Sequence, residues 1–305
     1  MADRDAYPTT ETGARPAGPG SGHGWQLAGD SAEAYERFLV PAIFEPWARD
    51  LVARADLRPG ERVLDVACGT GVVARAALPR TQPGGAVVGV DVNPTMLAAA
   101  RRAAARRAAG QTAAGPAPTP TTTATTAALA WHEADAADLP FPDGAFDAVV
   151  CQQGLQFFAD RAAGVRELRR TLRPGGRLAV SVWRGLDHNP GFARFADALD
   201  RHAEAAGPMM RAPFAIGGRD ALRALLQDAG FADVHVASDV RIARFPSAAD
   251  FLRQEALSSP IGGPLGALDE PGWAALVADV EDALAPFRDD DGLALPLASH
   301  VALAR

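Results

Sequence analysis

Arg62-Val63-Leu64-Asp65-Val66-Ala67-Cys68-Gly69-Thr70-Gly71-Val72-Val73 reads as strand, tight turn and helix. Val63, Leu64 and Val66 have the near-continuous, β-branched hydrophobicity of a parallel strand buried on both faces. Gly69 and Gly71 can take backbone angles that other residues avoid. A helix that begins at Gly71 points its N-terminus at the turn. Its free N–H groups and positive dipole end suit the negatively charged or hydroxyl-rich part of a ligand. A nucleoside-bearing cofactor is the expected occupant.

Gly69-Thr70-Gly71-Val72-Val73-Ala74 satisfies the glycine fingerprint of dinucleotide-binding folds, and Asp91 falls twenty residues after Gly71. That pattern alone admits an NAD(P)-dependent oxidoreductase. Asp65, inside the strand end, extends it to D-V-A-C-G-T-G, which resembles the first motif of class I S-adenosylmethionine-dependent methyltransferases. The resemblance implies that Asp65 lies under the loop near the amino-acid end of the cofactor, with Ala67, Gly69 and Gly71 forming the loop. Ala67 stands where many members carry glycine.

Residues 86–91 (A-V-V-G-V-D) form a second buried strand ending in a carboxylate. At that position Asp91 can accept both ribose hydroxyls of a nucleoside, with Val92 beside it. Asn93-Pro94 then caps and opens a helix as far as Gly110, placing Met96 against the adenine. Leu129-Ala130-Trp131-His132 is a short third strand. The D-A-x-x-L-P-F string that begins at Asp135 is similar to the adenine loop of the methyltransferases of ubiquinone and menaquinone biosynthesis. By that likeness Asp135 accepts the adenine amino group and the Ala136 N–H faces a ring nitrogen.

Residues 146–151 form the fourth strand, and Gln152-Gln153-Gly154-Leu155-Gln156-Phe157 leaves it at the sheet's carboxyl edge, where open α/β sheets bind ligands. Gln152 is expected on the methionyl part of the cofactor; Gln156, Phe157 and Trp183 are expected toward the substrate. Asp160 caps a helix to Leu172, and Arg173-Pro174-Gly175-Gly176 turns into a fifth strand over 177–183. The string L-R-P-G-G-R-L-A-V also resembles the family, and the likeness covers roughly residues 30–183.

The expected fold is α/β: a Rossmann-like, seven-stranded, mostly parallel sheet with helices on both faces and a helical lid. Residues 1–24, rich in Gly, Pro, Thr and Ala, read as a disordered tail, and 111–127 as a disordered insertion. Residues 25–183 form the cofactor-binding core with N-terminal helices. There Asp30 and Glu33 suggest a capping box, Pro41 and Pro46 a kink or a restart of the helix, and Tyr35 either core packing or, by the resemblance, a cover for the cofactor. Residues 184–305 complete the sheet, with a helix from Pro190 to about Ala206, another over 220–229, strands over 231–245 and 299–304, and a helix over 271–284. Lid insertions are expected at about 186–217 and 247–290.

At 305 residues and 48% hydrophobic, the chain needs no disulfide staple, and its two cysteines have no metal-ligand spacing. A formal charge of −7 argues against a nucleic-acid partner. The absence of a signal-peptide core or an 18-residue apolar run predicts a cytoplasmic chain without a membrane span; oligomeric state, a homodimer included, stays open. The reading that follows is methyl transfer from S-adenosylmethionine to a small, mostly apolar molecule of secondary-metabolite or quinone-like kind. One rival is a protein that binds this cofactor without transfer. The other is the oxidoreductase, which the lack of any Lys for a Tyr-x-x-x-Lys pair disfavours. The chemistry requires no dedicated catalytic residue; His188, just past the fifth strand, is the weak candidate for a general base.

Overall fold

The computed structural model describes residues 30–110, 128–216 and 218–305. The expected tail, the start at Trp25 and the 111–127 insertion lie outside the described residues.

Helix α1 (Ser31–Ala34), a π-helical segment (Tyr35–Phe44) and α2 (Glu45–Arg54) follow one another without a break. The kink or restart expected at the prolines takes the form of a change of helical repeat: the wide π-helical turns end at Phe44 and α2 restarts the ordinary repeat at Glu45. Pro41 sits inside the π-helical segment and Pro46 in the first turn of α2. The expected capping box is absent. Asp30 is already helical in its backbone and makes no side-chain cap, because Glu33 instead pairs with Arg102 and Arg106.

β1 (Arg62–Val66) leads to α3 (Val72–Thr81), β2 (Ala86–Asp91), α4 (Pro94–Ala108), β3 (Leu129–Glu133) and β4 (Phe146–Gln152). Asn93 Oδ1 caps α4 by accepting from the Thr95 N–H at 2.9 Å, and Asp160 Oδ1 caps α5 (Arg161–Thr171) by accepting from Ala163 at 2.8 Å. β5 (Leu172–Trp183) starts five residues earlier than expected. Leu172 already pairs with Phe146, and the Arg173-Pro174-Gly175-Gly176 turn is absorbed as an irregularity before Ala148 meets Arg177.

The expected single helix after Asn189 is two, α6 (Pro190–Asp200) and α7 (Ala206–Arg211). The break lets Arg201 and His202 reach Asp279 at 2.9 and 2.7 Å. α8 (Arg219–Asp228) precedes β6 (Val234–Phe245). α9 (Ala248–Ser258), α10 (Gly262–Leu265) and α11 (Glu270–Leu284) follow, then the two-residue β7 (Arg288–Asp289) and β8 (Gly292–Ala304), longer than its expected span.

The sheet order is β3-β2-β1-β4-β5-β8-β6, seven strands on one path with β7 attached to β8. The first five are parallel; β8 runs antiparallel between β5 and β6. Successive strand residues point to opposite faces, and both faces are covered: Val63 and Val150 join one core, and Leu64, Val149 and Cys151 the other. The second core takes its helical side from Val165 and Leu168 on α5 and Leu222 and Leu226 on α8. The first draws on α2 and α3 and runs on into α6, α9 and α11. Phe251 on α9 holds that extension together, with ring centroids 4.7, 4.8 and 5.6 Å from Phe195, Phe245 and Phe192. Burying each ring stabilises by about 1.5–3 kcal/mol. No helix among the described residues is long and apolar enough to cross a membrane.

Candidate functional site

The order of connection reverses between β1 and β4, so the loops after Val66, Asp91 and Gln152 open into one crevice at the sheet's carboxyl edge. A cavity lies there, walled on the far side by the π-helical segment and by residues of α6, α7 and α9.

The glycine turn is fixed by carboxylates from below. Asp65, 1% exposed, accepts the Ala74 N–H at 2.8 Å with Oδ2, while its Oδ1 has no partner among the described residues. Burial pushes its carboxyl up to about 8, the Ala74 bond pulling the other way. Asp91 accepts the Gly69 N–H at 2.8 Å through Oδ2 and the Asn93 N–H at 2.9 Å through Oδ1. Its carboxyl too is raised by burial against those bonds.

The turn takes three left-handed residues within five: Ala67 at φ +54°, Gly69 at +54° and Gly71 at +80°. A Cβ on Gly69 would meet open space, whereas one on Gly71 would stand 2.2 Å from the Trp131 ring. Gly71 is thus small so that Trp131 can pack, and it does not line the cavity. Contrary to expectation, the start of α3 is not wholly free for a ligand, because Asp65 occupies the Ala74 N–H. A buried pair braces the turn from behind. Arg75 lies 2.6 Å from Glu36 on the π-helical segment and also donates to the Thr70 carbonyl.

At the end of β4, Gln152 donates through Nε2 to the Phe44 carbonyl at 3.0 Å. A carbonyl only accepts, so the amide orientation is fixed and Oε1 is left as an acceptor, buried without a partner among the described residues. Gln153, at φ +51°, repeats the pattern: its Nε2 donates to Ser299 Oγ, whose own proton goes to the Val182 carbonyl, and its Oε1 is orphaned. Both glutamines line the cavity, as does Thr70, whose buried hydroxyl also lacks a partner there.

The remaining expected residues divide. Tyr35, Val92, Met96, Asp135, Ala136, Phe157 and Trp183 line the cavity with Ala67 and Gly69. Tyr35 lies 4.9 Å from the Phe44 ring and has its hydroxyl raised by burial, with Glu36, Asp91 and Glu255 adding to the shift. Asp135 Oδ1 accepts the Ala137 N–H at 2.8 Å. Gln156 is buried away from the cavity with both amide atoms orphaned. His188 lies in a separate cleft beside Arg219, Ser238 and His300, 3.2 Å from Asp187. Cys151 behaves as a small buried hydrophobe, its thiol pushed up to about 12 by burial.

Sequence reasoning missed Thr70, Gln153 and Glu255. Glu255, 3% exposed on α9, lines the same cavity, and burial pushes its carboxyl up to about 7 against the effect of the neighbouring Ser259 hydroxyl. Its signal was available. Residues 248, 251, 252 and 255 fall on one helical face, and the other three are apolar. Among the described residues no cluster could hold a metal ion.

Residues 64–180 match a family model described as a methyltransferase domain. A demethylmenaquinone methyltransferase of Symbiobacterium thermophilum is 32% identical over 166 residues, 54% of this chain and 58% of that protein. The enzyme of the same name from Thermus thermophilus is 42% identical over 134 residues, 44% of this chain and 52% of that protein. The chain thus spans about half the length of these curated relatives. A solved phosphoethanolamine N-methyltransferase 2 of Haemonchus contortus, in complex with S-adenosyl-L-methionine, shares the fold. Its TM-score is 0.54 at 18% identity, covering 90% of this chain and 56% of that one.

Proposed function

We propose that this chain, which carries a methyltransferase domain over residues 64–180, binds S-adenosylmethionine in the cavity and moves its methyl group to a small, mostly apolar, quinone-like molecule. One observation carries the reading. The crevice offers fixed hydrogen-bond acceptors that lack donors, namely the Gln152 and Gln153 carbonyl oxygens, beside the anchored Asp91 carboxylate and an Asp65 carboxyl that burial keeps protonated until a cationic group meets Oδ1. Buried acceptors of this kind call for a ligand rich in N–H and O–H groups. A ribose and an amino-acid ammonium bring such groups.

In this reading Asp91 holds the ribose hydroxyls, and Asp135 and the Ala136 N–H hold the adenine between Val92 and Met96. Asp65 and Gln152 face the amino-acid end, and Tyr35 covers the whole. When bound, the cofactor supplies a methyl group on a cationic sulfur. The protein's part is to align and to exclude water. The Phe44, Trp183 and Phe214 rings, with centroids 6.2 and 6.5 Å from Phe44 to Trp183 and from Trp183 to Phe214, wall the side opposite the glycine turn. Such positioning supplies about 7–11 kcal/mol in favourable cases.

A dinucleotide fits this site less well. No Arg or His lines the cavity among the described residues, and one N–H at the start of α3 is already taken, so a pyrophosphate finds few partners. The division of labour that follows gives residues 25–183 the cofactor, and the segments at about 186–217 and 247–290 the acceptor. The relatives' names support a quinone-like acceptor. The domain match ends at residue 180, before the helices of the apolar wall, and leaves that choice to the segments beyond.

Calorimetry tests the reading. S-adenosylmethionine should bind and NAD should not, and Asp91→Ala should weaken the cofactor by about 1.5–3 kcal/mol through the loss of a charge-assisted pair of hydrogen bonds. Unchanged affinity in that variant sinks the ribose assignment. Failure to form S-adenosylhomocysteine with any acceptor would turn the reading toward binding without transfer.

A further inference from the structure

We propose that Glu255 takes the proton of the methyl acceptor, which makes the acceptor an apolar molecule whose reacting oxygen or nitrogen carries a hydrogen, a phenol or hydroquinone and not the quinone itself within the class named above; this rests on the methyl-transfer reading above. Each of the other buried carboxylates at the site has a structural task. Asp65 holds the Ala74 N–H, Asp91 holds Gly69 and Asn93, and Glu36 holds Arg75. Glu255 has none of that kind. It stands on the apolar face of α9 and lines the cavity with Phe192, Phe214 and Leu297; among the described residues the neighbouring Ser259 hydroxyl, but neither a cation nor a backbone N–H, reaches its carboxylate. A charge in such a place is costly unless function retains it.

Its surroundings say what it meets. Of the segments packed against α9, which include α1, the π-helical segment, α10, α11 and β6, Tyr35 is the titratable residue that also lines the cavity. Glu33, Glu36, Asp279 and Arg241 on those segments are paired elsewhere. The other titratable residues of the lining are Asp65, Cys68, Asp91 and Asp135. With no Arg or His to receive it, an anionic acceptor is disfavoured, whereas one that arrives neutral with an O–H or N–H finds Glu255 as its hydrogen-bond acceptor.

The charges then close. The O–H or N–H bond breaks and its proton moves to the Glu255 carboxylate. The electron pair left behind forms the bond to the methyl carbon, and the pair of the broken sulfur–methyl bond stays on sulfur. One carboxylate and one sulfonium go in; a carboxylic acid and a thioether come out. A bound sulfonium also favours the ionised form of Glu255, so the base is readied by the cofactor that needs it and keeps its proton once that positive charge is gone.

This predicts a proton linkage that can be measured without any acceptor. Binding of S-adenosylmethionine and of S-adenosylhomocysteine to the full chain is followed by calorimetry in buffers of different ionisation heat. Near pH 7 the cationic ligand should release about half a proton more than the neutral one; the excess should vanish at pH 9 and be lost in Glu255→Gln. An excess that is absent in the wild type, or that persists unchanged in Glu255→Gln, overturns the role of Glu255 while the cofactor reading stands. No binding of either ligand overturns both.

The acceptor class is tested on the S-adenosylhomocysteine complex with 2-naphthol, 2-naphthylamine and 2-methoxynaphthalene. Tighter binding than the methoxy compound by tenfold or more identifies a hydroxyl or an amine source respectively. No advantage for either overturns the class.

Discussion

Ala67 is the residue where the glycine turn departs from comfort. A methyl-bearing residue at φ +54° costs on the order of 1–2 kcal/mol, and the space opposite it exists because residue 154 is glycine: a Cβ there would stand 2.5 Å from the Ala67 Cβ. Ala67→Gly should therefore stabilise the ligand-free chain by about 0.5–1 kcal/mol in urea titration. Gly154→Ala should destabilise it by about 1–3 kcal/mol, and combining the two should recover most of that loss. Additive effects in the double variant would show that the two positions do not share the space. At this scale Asp65 and Asp91 were legible because each stands at the carboxyl end of a run of mostly hydrophobic strand residues, Asp65 last but one in β1 and Asp91 last in β2, where an acid has no packing reason to be. Glu255 was not, since a lone Glu on a helix is usually solvated, and only its alignment with Ala248, Phe251 and Leu252 betrays it. Gln156 misled because a residue's place in a loop does not tell which way its side chain turns.

Among the elements, the π-helical segment shows what the prolines alone could not tell: that the interruption would be a change of helical repeat. Pro41 marks a break only if the backbone keeps its usual repeat; widening the turn accommodates the proline and carries Tyr35, Leu39, Ile43 and Phe44 to the cavity. The segment is tied to α3 by the buried Glu36–Arg75 pair, whose side chains are 7% and 9% exposed, and Arg75 also holds the Thr70 carbonyl. Arg75→Met should cost about 3–5 kcal/mol by stranding a buried carboxylate, and adding Glu36→Gln should restore much of it. Denaturant midpoints of the wild type, Arg75→Met and the double variant decide this. Equal loss in the single and double variants would mean that packing, not charge, is what Arg75 contributes. The fifth strand and α6 drifted from expectation for a related reason: pairing of Leu172 with Phe146, and the reach of Arg201 and His202 to Asp279, are tertiary facts that local sequence does not carry.

For the whole molecule, the mostly parallel sheet was legible because parallel strands buried on both faces leave long apolar runs, and the length of β6 because its residues alternate, while the early start of β8 was not, since Gly292 and Pro296 are poor strand formers. The buried acids give the ligand-free fold a pH signature. Glu255 and Asp65 titrate near 7 and near 8 when folded and in the ordinary carboxylate range when unfolded, so the folded chain holds more protons between those limits. Their contribution to stability is complete at low pH and is lost as pH rises through 7 and 8, a change of several kcal/mol on the order given by such shifts. Acids held low, such as Glu167 and Asp279, have already made their contribution by pH 5. Melting temperature of the ligand-free chain should therefore fall from pH 5 to pH 8, and fall less in Glu255→Gln; a flat profile would contradict the burial of both acids.

β6 and β8 are paired along their whole length, from Val234 with Ala304 to Phe245 with Leu293, so the chain that departs after Phe245 comes back to its own starting point. Everything between, α9 to α11 with Glu255, is hung on a closed clasp, so its two ends stay together whatever lies between them. A graft of that segment from another chain would leave the pairing of the sheet unbroken and would have to rematch its packing against α1, the π-helical segment and α6.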